Sequence, residues 1–322
     1  MTQPTASHPL RFGVIDESSQ TKAMLLHRAQ QAERLGYATF LLRDHFVAGE
    51  FAHQLAPIAG LMAAAAATTT LRIGSLVFAN DYRHPAVLAK EAATIDVLSD
   101  GRFELGIGAG WLKAEYEETG LIFDPAGMRV ERLRESVQIL KALFGQEIVT
   151  YRGHHYSLTQ YASFPKPVQR PRLPIMIGAG AKRMLELAAQ EADIIGILPK
   201  AVAAGSISDD PAERLAETIE QKVAWIRDAA GERFRQIELS MVVSVMYTPH
   251  RAERAAQLIH ERQWQGVTVE HVLAMPAMLI GTETEIAEKI QAVRARFGFS
   301  YFVVSDAAIE TFAPLVQALT GK

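Results

Sequence analysis

The chain has no cysteine, which removes disulfides, thiolate nucleophiles and cysteine metal sites together. No apolar run reaches the roughly 20 residues that span a bilayer. A basic block is also missing: 33 Lys and Arg stand against 36 Asp and Glu, a formal net charge of −3. That balance leaves no electrostatic footprint for nucleic acid or an anionic membrane surface. The histidines, including His154 and His155, show no HExxH or comparable ligand spacing, so no metal site is predicted. Met1 to Pro9 lacks the positive start and apolar core of a secretion signal. Together these absences predict a soluble, cytoplasmic protein.

What is present is an apolar, regularly alternating chain of 322 residues with 49% hydrophobic content. Strand-like segments fall at Leu10–Ile15, Thr39–Leu42, Leu71–Phe78, Phe103–Ile107, Ile175–Ile177, Asp193–Ile197, Ile237–Val245 and Tyr301–Val304. Helical periodicity lies between them, for example over Thr21–Leu35, Val130–Phe144, Ala212–Ala229, Arg251–Trp264, Glu283–Phe297 and Ala307–Leu319. Eight such alternations predict one α/β domain over residues 1–322, a closed (β/α)8 TIM barrel. Two stretches interrupt the rhythm: the proline-rich Gly145–Pro174 and a small-residue loop at about 198–210, its Val202–Asp210 part read as a mobile lid. Both are expected as insertions over the C-terminal, active-site face. The helix Leu55–Ala67 is apolar nearly all round, so one face is expected on the barrel and the other in a homodimer interface, or else under the chain's own insertions.

The densest run is Arg83 to Trp111, RHPAVLAKEAATIDVLSDGRFELGIGAGW. It holds a helix with apolar Val87, Leu88, Ala92, Ile95 and Leu98, then a turn in which Gly101 is free to take positive φ. A strand follows and leaves through Gly106, Gly108, Ala109 and Gly110, where bare backbone admits a phosphate or a flat ring. A second such exit, Gly178, Ala179, Gly180 and Ala181, opens a helix whose N-terminus suits an anion, with Lys182 and Arg183 beside it. Neither exit has the full GxGxxG of a dinucleotide fold. Asp44 and His45 follow the second strand, where a barrel places its chemistry; His45 suits proton transfer, though the pair could equally fix the loop. Asn80, after the third strand, is either a contact for a heterocycle's polar edge or an ordinary turn residue.

Three motifs, RHP with IDVLSDGR and LGIGAGW (Arg83–Trp111), Asp44-His45, and FPKPVQRPRLPIMIGAG (Phe164–Gly180), resemble the bacterial luciferase-like superfamily of flavin- and deazaflavin-dependent oxidoreductases. The order and spacing hold from Leu10 to about Leu319. ANDYRHP and AGWLKAEYEETG are similar to the branch that uses coenzyme F420. The resemblance implies a non-prolyl cis peptide near Ser75, Leu76 and Val77 that supports the cofactor ring, with Asp44 and His45 beside the ring and Asn80 at its polar edge. It further implies that Gly108, Ala109 and Gly110 line the cofactor channel, and that Gly178 to Ala181, helped by Lys182 and Arg183, hold the phosphate. Sugar-phosphate dehydrogenases of the superfamily carry a glutamate directly after the fourth-strand glycines; here Trp111 stands there, which favours an apolar or aromatic pocket formed with Phe46, or makes Trp111 a packing residue. The activity implied is F420-dependent hydride transfer to or from an organic substrate, with His45 and Asp44 as catalytic residues. An FMN-dependent two-component monooxygenase and a non-catalytic flavin-binding protein are the alternatives.

Overall fold

The computed structural model describes residues 8–47 and 54–322, so most of the polar N-terminal stretch lies outside the described residues. Eight parallel strands form the barrel: β1 (Arg11–Ile15), β2 (Thr39–Leu42), β3 (Arg72–Ser75), β4 (Phe103–Gly108), β5 (Ile175–Ala179), β6 (Ile194–Ile197), β7 (Glu238–Val242) and β8 (Phe299–Ser305). Each pairs with its neighbours in sequence, β8 pairs with β1, and the Ile73–Phe103 and Gly74–Glu104 contacts between β3 and β4 close the ring. The predicted (β/α)8 barrel is the observed fold. Its strands read as apolar runs because both faces are covered. Phe12, Val14, Phe40, Ile73 and Leu105 face the helices, while Ile15, Leu41, Leu76, Met176, Ile194, Tyr301 and Val303 fill the interior.

The N-terminal end of the barrel is plugged by charge. Arg11 donates to Glu238 at 2.8 and 2.6 Å and to Glu104 at 2.7 Å, and lies 3.7 Å over the Tyr301 ring. Arg72 donates to the same Glu104 oxygen at 2.6 Å. Burial would raise the Glu104 carboxyl, but the two guanidinium groups outweigh it and hold it below the usual carboxylate range. A ligand therefore reaches the barrel from the C-terminal end, the working end of this architecture.

The helices are α1 (Lys22–Arg34), α2 (Pro57–Ala66), α3 (Pro85–Leu98), α4 (Lys113–Thr119), α5 (Ala126–Gly145), α6 (Lys182–Glu191), α7 (Ala216–Ala230), α8 (Arg251–Glu261), α9 (Val269–Ala274), α10 (Glu283–Phe297) and α11 (Ala313–Leu319). None is long and apolar enough to cross a membrane. At Gly60 of α2 an added Cβ would come 2.7 Å from a Leu42 methyl, so a larger residue there would make that side chain shift. In the turn after α3, Gly101 takes φ of 77°, as its turn chemistry predicted.

Four departures from the sequence reading bear on the architecture. The third strand does not run unbroken to Phe78: it stops at a bulge, where Leu76–Val77 has the non-prolyl cis form that the family resemblance implied, and resumes at Phe78–Ala79. The seventh ends at Val242; Ser244–Tyr247 turns away to pair in parallel with Met278–Gly281, and α8 and α9 enclose a separate small core around Leu258, Trp264, Val272 and Met275. The last predicted helix starts as a 3-10 turn, Asp306–Ala308, and becomes regular only at Ala313. The loop read as a lid contains a hairpin, Ala201–Val202 with Ser206–Ile207, whose Gly205 carbonyl accepts the Lys113 N–H at 3.4 Å.

Candidate active site

The end of β2 delivers four side chains to the open end of the barrel. Arg43 donates to Glu17, which also accepts from Ser305 at the end of β8. Asp44 is buried, and both its oxygens are occupied: Arg83 donates to them at 2.5 and 3.0 Å and the Ala79 N–H at 3.1 Å. This clamp ties the end of β2 to the chain that follows the bulge. His45 Nδ1 lies 3.1 Å from Glu115 on α4, and its ring meets Trp111 edge-on at 5.6 Å. Phe46 is half exposed and packs edge-on against Tyr82 at 4.8 Å. His45 and Trp111 are thus brought together, with Phe46 joined to them through Glu115.

Glu115 is 1% exposed and gathers this loop. Its Oε1 accepts the Phe46 N–H at 2.9 Å and faces His45, while Oε2 accepts the Tyr82 hydroxyl at 2.6 Å. Burial pushes its carboxyl up, but the bonds from His45 and Tyr82 and the Phe46 N–H together hold it below the ordinary range. Burial and this neighbouring carboxylate push the Tyr82 hydroxyl far up, so it stays a donor.

The glycines at the end of β4 have a definite use. An added Cβ at Gly106 would overlap the Ser75 carbonyl oxygen, and one at Gly108 would come 2.9 Å from a Val77 methyl. Ser75 itself is tied to β4, its hydroxyl donating to the Gly106 carbonyl at 2.7 Å and accepting the Gly106 N–H at 3.1 Å. Gly106 and Gly108 therefore admit the bulge, and the bulge presents Leu76 and Val77 to the barrel interior. Gly110 has φ of 74°, and its carbonyl accepts from Arg129. Asn80 is buried, its amide 3.4 Å from the Tyr156 hydroxyl of the hairpin Val149–Arg152/Ser157–Tyr161.

At the end of β5, Gly178 and Ala179 lead through Gly180 into α6, whose N-cap, Ala181, offers no side-chain bond. The first N–H groups of this helix are left without a side-chain cap, and no acidic residue stands in its first turn. Gly180 packs on the Pro199 carbonyl, where a Cβ would not fit. Lys182 and Arg183 are exposed; Lys182 lies 3.8 Å from Glu186, and Arg183 donates to Glu131 of α5 at 2.7 Å. An uncapped helix N-terminus beside bare backbone, with the apolar Val77 of the bulge packed close to Gly178, fits a flat ring carrying a phosphate chain.

The sequence signature of luciferase-like monooxygenases matches residues 6–301, and the chain belongs to that family. It is 28% identical to the FMNH2-dependent dimethylsulfone monooxygenase of Pseudomonas fluorescens, over 91% of this chain and 87% of that protein. To the F420-dependent glucose-6-phosphate dehydrogenase of Microbacterium testaceum it is 35% identical, over 58% of this chain and 55% of that protein. An F420-dependent secondary alcohol dehydrogenase, solved with an F420–acetone adduct, shares the fold with a TM-score of 0.77 at 17% identity, over 97% of this chain and 99% of that one. Relatives of this chain thus include both deazaflavin- and flavin-dependent oxidoreductases.

Glu115 and Tyr82 were not found by sequence reasoning. Glu115 sits in the acidic run Glu115-Tyr116-Glu117-Glu118, which looks like a solvated helix face. Only tertiary packing separates the buried Glu115 from its exposed neighbours Glu117 and Glu118.

Proposed function

We propose that the chain is an F420-dependent oxidoreductase acting on a small organic substrate at the open end of the barrel. The observation that carries this reading is His45 held against the ionised Glu115 and beside Trp111, at the end of the strand next to the cis bulge. Bound F420 would supply hydride transfer at its deazaflavin ring. Leu76 and Val77 would support the ring, Gly108, Ala109 and Gly110 its channel, and Gly178 to Ala181 at the start of α6 its phosphate, with Lys182 and Arg183 near the acidic tail. His45 would give or take the proton that accompanies hydride transfer. Asp44, fully engaged by Arg83 and Ala79, is assigned to holding His45 in place and not to chemistry. Trp111 and Phe46 would border an apolar or aromatic substrate.

A second reading, an FMN-dependent monooxygenase, is favoured by the relative matched over 91% of this chain, whose name carries reduced FMN. Titrating the apo protein with F420 and with FMN, following fluorescence, separates the two. Saturable F420 binding is the expected result, and binding of FMN alone would overturn the first reading. His45→Ala is expected to keep cofactor affinity and lower turnover by about 10²–10⁴; unchanged turnover would remove His45 from the mechanism.

A further inference from the structure

Glu115 does more than pin a loop. A carboxylate accepts hydrogen bonds and has none to give, and this one already takes the Phe46 N–H at 2.9 Å and the Tyr82 hydroxyl at 2.6 Å. The hydrogen between Glu115 and the imidazole, 3.1 Å apart, must then sit on His45 Nδ1. The bond made by one ring nitrogen decides what the other can do.

We propose that Glu115 is a positioning residue that fixes the tautomer of His45, so that the histidine meets its substrate through Nε2. Neutral His45 then presents a lone pair at Nε2 and would take the proton of a substrate hydroxyl while the hydride on the same carbon passes to the bound cofactor; in the reverse direction the imidazolium would give its Nε2 proton to the carbonyl oxygen whose carbon accepts hydride. The opposite neutral tautomer, with hydrogen on Nε2, could not act as a base toward the substrate. Three features support a built device. Glu115 comes from a different element, α4, than the histidine it holds. Tyr82 closes its second oxygen, so the carboxylate cannot rotate toward solvent without losing a bond of 2.6 Å. Trp111, four residues before Glu115, packs edge-on against the same imidazole and limits its tilt. The proposal rests on the reading that His45 works at the reacting centre.

The test needs no bound cofactor. In protein labelled with 15N at its ten histidines, the nitrogen shifts and one-bond couplings of His45, assigned by loss of its signals in His45→Ala, identify which nitrogen carries hydrogen in the neutral form. The expected result is Nδ1–H in the native protein, and Nε2–H gaining most of the population in Glu115→Leu, with the other nine histidines unmoved. Glu115→Gln, whose amide oxygen still accepts from Nδ1, should keep the native tautomer. Turnover should fall about 10²–10⁴-fold in Glu115→Leu and clearly less in Glu115→Gln. Hydrogen on Nε2 in the native protein would overturn the proposal without any variant of Glu115, even if Glu115→Leu failed to fold. So would an unaltered tautomer in a folded Glu115→Leu. If neither F420 nor FMN bound, the function proposed above would fail while the tautomer measurement stood on its own.

Discussion

The Asp44–Arg83 clamp makes the sharpest quantitative prediction, because it separates a holding role for Asp44 from a chemical one. The Asp44 side chain is 5% exposed and that of Arg83 19%, with two bonds of 2.5 and 3.0 Å between them. Removing one partner of a buried pair costs about 3–5 kcal/mol, chiefly through the charge left behind. Water reaching Arg83 softens this, and about 2–3 kcal/mol is the working figure. Asp44→Asn is the cleaner change, since its amide oxygen can still accept the Ala79 N–H. With about 2.1 cal/mol/K of unfolding entropy per residue over 322 residues, that loss lowers Tm by about 3–4 °C. Arg83→Met should behave alike. The double variant should be no less stable than the worse single one, a coupling of at least about 2 kcal/mol. Thermal unfolding at one scan rate supplies all four corners. Effects that simply add, to within about 0.5 kcal/mol, would refute the clamp. Turnover gives a second reading: as a clamp, Asp44→Asn has little further effect once Arg83 is replaced, whereas a residue acting on substrate loses the same factor in either background.

Gly106→Ala would force the bulge off β4 and should cost about 1–3 kcal/mol or more. It should weaken cofactor binding in the fluorescence titration further than Gly108→Ala, whose clash is with a side-chain methyl alone, and equal effects would contradict the role assigned to the bulge. Burial pushes Glu33 up, but the N–H groups of Thr70, Thr69 and Leu71, at 2.6, 2.7 and 3.1 Å, together bring it down to about 2. A depressed value means stability present above the unfolded pKa near 4.5 and lost as pH falls toward 2. Native protein should therefore lose about 1 kcal/mol more than Glu33→Gln between those limits, after discounting for solvent screening, and parallel Tm–pH curves would refute this. We propose that the outer face of α2, formed by Ile58, Ala59, Met62, Ala63 and Ala66, docks on a second copy of the chain. Met62→Glu combined with Ala66→Glu should convert a dimer to monomer in light scattering, and a native protein already monomeric would exclude the interface.

The barrel was legible because its strands are short apolar runs bounded by turn residues, a pattern set by burial on both faces and visible without partners. The boundaries that went astray are those decided by partners far along the chain. Val243 donates to the Val303 carbonyl while the next residue, Ser244, donates to Ala277, and nothing between Ile237 and Val245 announces that the strand changes sheets there. The third strand likewise carries no mark of its break in its own residue types, and only the family resemblance placed it near Ser75 to Val77. Its cause lies on β4, where Gly106 and Gly108 leave room for the Ser75 carbonyl and the Val77 side chain.

The same distinction explains the site. His45, Trp111 and the glycines were readable because their types are informative in place: an imidazole at a strand end, side-chain-poor backbone at two exits. What those glycines do was not readable, since a gap in the sequence looks the same whether it admits a ligand or a neighbouring strand. Gly106 and Gly108 both make room for the bulge, so a ligand would meet the effect of Gly106 only through Leu76 and Val77, while Gly108 would also border the channel proposed for it. Glu115 shows the converse. A seven-residue helix is too short for periodicity to single out one carboxylate among three, and its meaning comes entirely from the imidazole, amide and phenol that converge on it from two other segments. A residue whose role is to orient another carries no signal of its own type, so such residues are recovered from geometry once the group they orient has been recognised.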